Sequence, residues 1–186
     1  MRSLTLDGPN KDYRNIKYPR LEFKTGELTL ILPRGYDKEN ALLKRHEKWI
    51  SRKTALIEQS LDDAKGKDLN FLRTDEEFIQ FTRSTITKIQ TTHNLTTNRT
   101  YFKKMKSKWG SYSSKQNITI NTLLKFLPDE LIEYVIFHEM VHSLERKHNK
   151  RFWYIISKRY QDYQAKEREL LSYWFLLQKE LTAQNI

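Results

Sequence analysis

The chain contains no cysteine among its 186 residues. A disulfide scaffold and a thiolate metal site are therefore both excluded, and any metal must be held by His, Asp or Glu. It also lacks a long apolar run. Tyr173 to Leu177 is far too short to span a membrane, and Met1 to Lys11 has no apolar segment of the secretory type. These absences set the expectation of a cytoplasmic chain with no membrane partner. Internal repeats and low-complexity tracts are absent too. Acidic residues are outnumbered, 23 against 34 basic, for a net charge of +11. Such an excess attracts polyanions, so a nucleotide or nucleic acid is a candidate partner, although charge alone carries no base-reading geometry. Hydrophobic residues reach 38% and aromatics 12%, enough for a buried core.

The length suits one compact unit, divided here into an N-terminal hairpin-and-helix lobe at 1–66 and a catalytic region at 67–186. Residues 17–33 alternate like a β-hairpin around Thr25-Gly26, and Pro33 and Gly35 end it. A helix is predicted from a cap at Asp37 to about Asp63, and the stretch around Gly66 is the linker. Thr74-Asp75-Glu76-Glu77 has the form of a capping box opening a helix that fades near His93-Asn94. Residues 101–109 read as a strand with Tyr101, Met105 and Trp109 facing the core and Phe102, Lys104, Lys106 and Lys108 facing solvent. Asn117 to Asn121 continues the sheet. Pro128, Asp129 and Glu130 suit the first turn of a helix, Asn149 caps another, and a last helix covers about 165–183.

Three of the five histidines fall between 138 and 148. The segment His138-Glu139-Met140-Val141-His142 has the form H-E-x-x-H. Residues four apart share a helix face, so two imidazoles there can address one ion. Glu139 projects beside that ion, where a carboxylate can act as general base on a metal-activated water. A catalytic zinc site needs a third protein ligand. His148 lies ten residues after His138, about 15 Å further on an unbroken helix, so the helix must end and the chain turn back, with Lys147 or Asn149 in a turn conformation. Glu167 or Glu169 is the alternative third ligand. His148 is favoured by ligand type and compact spacing. His46 and His93 read as surface or satisfied histidines.

Lys108-Trp109-Gly110-Ser111, Asn117 to Asn121, Pro128, Tyr134-Val135, the H-E-x-x-H and His148-Asn149-Lys150-Arg151-Phe152-Trp153 follow one another in an order that resembles the YgjP-like metal-dependent hydrolases, relatives of the WLM/SprT-like zinc peptidases. The resemblance covers most of the chain. It implies a zincin-like α+β fold, with a small, mainly antiparallel sheet packed on helices and the metal on the helix of His138. It also supports His148 as the third ligand. Lys108 and Tyr112 stand where that family has Arg and Cys, and losing the arginine fork bears on substrate choice more than on the metal.

The reading that follows is a zinc-dependent hydrolase with one Zn²⁺ ion (or another divalent first-row metal), foremost a metallopeptidase acting on a peptide or protein. Trp109, Gly110, Ser111 and Tyr112 are the candidate substrate-binding edge, with Gly110 allowing close backbone approach. Tyr112, Tyr154, Tyr160 and Arg151 are candidate oxyanion donors, and Asn121 is either a second layer of support for a ligand or a turn residue. Phe152 and Trp153 read as core. Two alternatives remain. One is a nucleotide or phosphoanhydride hydrolase using Lys104, Lys106, Lys108, Lys150 and Arg151. The other is a DNA-associated protease or binding module, with a basic strand flanked by the stacking rings of Phe102 and Trp109.

Overall fold

The alternation at 17–33 becomes two antiparallel strands in the computed structural model, which describes residues 8–24 and 26–183. These are β2 (Arg20–Lys24) and β3 (Glu27–Pro33). Thr25 lies outside the described residues; Gly26 supplies the positive φ of the turn, +89°. A strand not foreseen, β1 (Asn10–Arg14), pairs parallel with β3 from the other side. Its sequence, Asn-Lys-Asp-Tyr-Arg, is polar and gives no buried alternation. β3 is thus the central strand, and Leu30, Ile31 and Leu32 are all buried in succession, as expected for a strand covered on both faces.

The helix foreseen from 37 is two helices, α1 (Glu39–Arg45) and α2 (Glu47–Ala64). Asp37 is not the cap; α1 starts after Lys38, whose side chain makes no capping hydrogen bond. The break falls at His46, with φ −105° and ψ 9°, whose N–H reaches the carbonyls of both Leu42 and Leu43. The break lets the two helices serve different partners. Leu42 packs on Leu30 and Leu32 in a small separate core, while α2 lies against the last helix, α6 (Tyr163–Ala183).

The capping box forms as read, and α3 (Asp75–His93) follows it. Asn94 ends this helix in the left-handed conformation, φ 52°. The strand expected at 101–109 is only β4 (Thr100–Lys103), and its faces are reversed. Phe102 packs edge-on against Phe78 at 5.9 Å, whereas Tyr101 is 46% exposed. A phenol tolerates water at its rim and a phenyl ring does not, so Phe102 takes the core side. Residues 104–109 are a loop, then β5 (Gly110–Tyr112) and β6 (Ile118–Asn121) complete a second sheet in the order β4-β6-β5. Each sheet combines one parallel and one antiparallel pair, so the α+β class holds with mixed rather than mainly antiparallel sheets.

A single 3-10 turn (Thr122–Phe126) leads to α4 (Asp129–Val141). This helix is the centre of the main core. Leu131, Ile132, Val135, Ile136, Met140 and Val141 are all buried, an all-round burial that only a helix enclosed by others can carry. α3, β5, β6, α6 and α5 (Lys150–Arg159) surround it.

Candidate metal centre

The C-terminal turn of α4 presents His138 and His142 one turn apart. The chain then reverses through consecutive tight turns: Ser143 N–H donates to Met140 O at 2.9 Å, and Leu144 N–H to Val141 O at 2.9 Å. Neither Lys147 nor Asn149 takes a positive φ; among the described residues other than glycine only Asn94 and Gln116 do. Asn149 is extended instead (φ −90°), with its side chain accepting from Phe152 N–H at 3.0 Å to open α5. The reversal brings His148 back. Its Nε2 lies 2.9 Å from that of His138, and one ring nitrogen from each of His138, His142 and His148 falls within 4.8 Å of the others. Around a tetrahedral ion with bonds of 2.0–2.1 Å, ligand nitrogens sit about 3.3 Å apart. The three rings therefore could share one cation. Phe152 stacks on the His142 ring at 4.8 Å and Trp153 on that of His148 at 5.6 Å.

Hydrogen bonds fix which nitrogen is free. His142 Nδ1 faces the Glu145 carbonyl at 3.0 Å and His138 Nδ1 faces Glu167 Oε1 at 3.3 Å. With Nδ1–H donating in each, Nε2 keeps its lone pair for a metal. Glu167 also accepts from the buried Tyr134 hydroxyl at 2.6 Å. Burial works against the Glu167 carboxylate, but hydrogen bonds from His138 and Tyr134 hold it below the usual range. Burial pushes His142 and His148 down, His148 further by repulsion from the neighbouring imidazoles. Unprotonated imidazole is the form that binds cations. Glu139, buried beside them, is pushed up to about 7 by burial, against the pull of His138 and Lys108.

Glu167 is thus a partner of a histidine, and Glu169 is elsewhere, paired with Lys67 at 2.8 Å. Of the two remaining histidines, His93 is half-buried under Phe137 and faces Arg159 Nη1 at 2.6 Å, and His46 sits at the α1–α2 junction.

A cleft of about 520 Å³ contains His138, Glu139, His142 and His148, and Trp109, Gly110, Ser111 and Tyr112 form one wall. Among the described residues β5 is the edge strand of its sheet and pairs only with β6. Gly110 has a specific neighbour. A Cβ there would stand 2.6 Å from Glu139 Cγ and 2.9 Å from Oε1. The close approach that glycine permits is therefore that of the Glu139 side chain. Trp109 packs edge-on to Trp174 at 4.9 Å.

Asn121 neither touches a histidine nor merely turns the chain. Fully buried, it accepts from Met105 N–H and Leu123 N–H and donates to Met105 O and Lys108 O, pinning the 104–109 loop. The foreseen oxyanion donors are not at the cleft in usable form. Tyr112 lines it, but its hydroxyl donates to Thr96 O at 2.6 Å. Arg151 and Tyr154 are exposed on α5, because Phe152 and Ile156 take the core face of that helix. Tyr160 packs behind α4 against Tyr134 and Phe137. Arg146 does line the cleft, unforeseen. The Tyr134–Glu167 pair was likewise unforeseen, although Tyr134 lies one turn before His138 and so shares its face.

The expected basic strand is not formed: Lys104, Lys106 and Lys108 are on a loop, and Phe102 packs against Phe78. Of these three lysines only Lys108 lines the metal cleft. No described helix is long and apolar enough to cross a membrane.

A family described as YgjP-like, metallopeptidase domain, matches residues 70–173. No curated protein matches the chain. Among solved structures, the crystal structure of the metallopeptidase zymogen of Methanocaldococcus jannaschii jannalysin is similar at 23% identity and a TM-score of 0.42, covering 48% of this chain and 90% of that one.

Proposed function

Because this chain belongs to the YgjP-like metallopeptidase-domain family, we propose that it hydrolyses peptide bonds with zinc held by His138, His142 and His148 and with Glu139 as general base. The observation that carries the reading is the convergence of three imidazole nitrogens within 4.8 Å in the cleft that also holds Glu139. The donor set fits the ion: three neutral nitrogens, two of them oriented by hydrogen bonds on their far side.

Zinc there supplies a Lewis acid that polarises a carbonyl and makes water easier to deprotonate. Glu139 takes the proton from the attacking water and passes it to the departing amine nitrogen. The free edge of β5 pairs with an extended peptide through backbone hydrogen bonds, which hold the chain without demanding one sequence. Residues 67–186 make up the catalytic region in this reading, and 1–66 the N-terminal lobe.

The test combines metal analysis with peptide digestion. The purified chain is expected to carry one equivalent of zinc and to cleave unfolded peptides. Glu139→Gln keeps the zinc and lowers turnover by about 10²–10⁴-fold, whereas His138→Ala loses both. Full turnover in Glu139→Gln would refute the assigned role.

A further inference from the structure

Beside the metal cleft lies a larger hollow of about 850 Å³, within the usual size of ligand pockets. It is walled by aromatic rings from four parts of the chain: Phe23 of the hairpin, Trp49 of α2, Trp109 of the 104–109 loop and Trp174 of α6. Phe23 meets Trp49 at 5.6 Å, and Trp109 meets Trp174 at 4.9 Å. All four rings are only partly buried. Apolar ring surface left in water is unfavourable in the free protein and is recovered when an apolar group covers it.

The hollow is continuous with the metal cleft: Lys108, Trp109, Glu167 and Leu170 line both. Trp109 is the last residue before the edge strand β5. A peptide extended along that edge turns alternate side chains to opposite faces, which places one of them at the shared wall. The rim carries more positive than negative charge, three lysines against two carboxylates. Lys53, Lys106 and Lys108 are exposed and make no ion pair among the described residues. The two carboxylates present are already engaged, Glu22 by Arg20 at 2.7 Å and Glu167 by His138 and Tyr134.

We propose that this hollow is the specificity site of the peptidase: it receives one large aromatic side chain of an extended peptide, and the lysine rim receives the carboxylate of a flanking Asp or Glu of the same peptide. The assignment rests on the peptidase reading above and names the substrate class that reading leaves open.

The test uses the full-length, zinc-loaded chain and three fluorescein-labelled decapeptides. One has a single Phe flanked by Asp, one has Ala in place of Phe, and one has Asn in place of Asp. The expected preference in kcat/KM is on the order of 30-fold for Phe over Ala. For Asp over Asn it is about three-fold and fades with salt. Leu171→Trp, which narrows the hollow by adding a ring to its wall, brings the Phe-to-Ala ratio towards one. Lys106→Glu, at an exposed loop position, brings the Asp-to-Asn ratio towards one. Equal cleavage of the Phe and Ala peptides overturns the specificity site and leaves the peptidase reading standing. If no peptide is cleaved, fluorescence anisotropy decides. Tighter binding of the Phe peptide that Leu171→Trp removes upholds the site and rejects the hydrolase, while equal binding rejects both.

Discussion

Gly110→Ala adds a single methyl group, and the site of its clash is known. The new Cβ would stand 2.6 Å from Glu139 Cγ, 2.9 Å from Oε1 and 3.0 Å from Cδ. Ordinary carbon contacts are at 3.5–4.0 Å, so the carboxylate must move by roughly 1 Å. Backbone strain does not contribute, since the positive-φ glycines are Gly26 and Gly35. Gly110 is buried in β5 and Glu139 is buried on the central helix, so the clash is relieved only by moving the Glu139 side chain within the cleft it lines. Overpacking of this kind costs about 1–3 kcal/mol, or roughly 2–4 °C of Tm per kcal/mol for a chain of this size. A 1 Å misplacement of a catalytic group costs on the order of 10²-fold in rate. Peptide turnover should therefore fall about 100-fold while zinc content stays at one equivalent, because the three imidazoles are untouched. The decisive assay is a double-mutant cycle on Tm. In a Glu139→Ala background the methyl group meets empty space, and the Gly110→Ala penalty should vanish. An unchanged penalty there, or wild-type turnover in Gly110→Ala, would refute the reasoning.

Glu167→Ala removes the acceptor that orients the His138 ring, and chelator competition should show zinc affinity lowered by about 10–100-fold; unchanged affinity would contradict the pairing. Asn121→Ala strips the backbone groups of Met105, Lys108 and Leu123 of their side-chain partner, a loss of about 2–4 kcal/mol in urea unfolding, with faster proteolysis within 104–109. Burial, and then Arg159, hold His93 below its ordinary pKa, so the unfolded chain takes up the proton first as pH drops. Stability should decline below about pH 6.5, and His93→Gln, which keeps an acceptor for Arg159, should flatten that decline in denaturant midpoints between pH 7 and 5; an identical slope would rule out His93 as a contributor.

What could be read from the sequence was what local chemistry decides. Thr74 and Glu77 satisfy each other within one turn, Asn149 accepts from the N–H of Phe152 three residues on, and H-E-x-x-H places two rings by helix geometry alone. The convergence of His148 required only that the chain reverse. What escaped depends on contacts between distant segments. The 104–109 loop is held open by Asn121, up to sixteen residues later, and the lysine alternation within it imitates a strand. β1 forms because β3 offers it an edge, not because its own residues alternate. The split at His46 serves two separate packing partners that no periodicity distinguishes. The need for glycine at 110 exists only because Glu139 arrives from another element.

Glu167 and Trp174 are seven residues apart on α6 and so lie along one side of it. One end of that side grips the His138 imidazole, and two turns further on it supplies a wall of the aromatic hollow. The C-terminal helix therefore carries on one side both the carboxylate that orients the His138 ring and a ring of the hollow. Glu167 itself borders both spaces, so whatever occupies the hollow lies beside the carboxylate that orients the His138 ring.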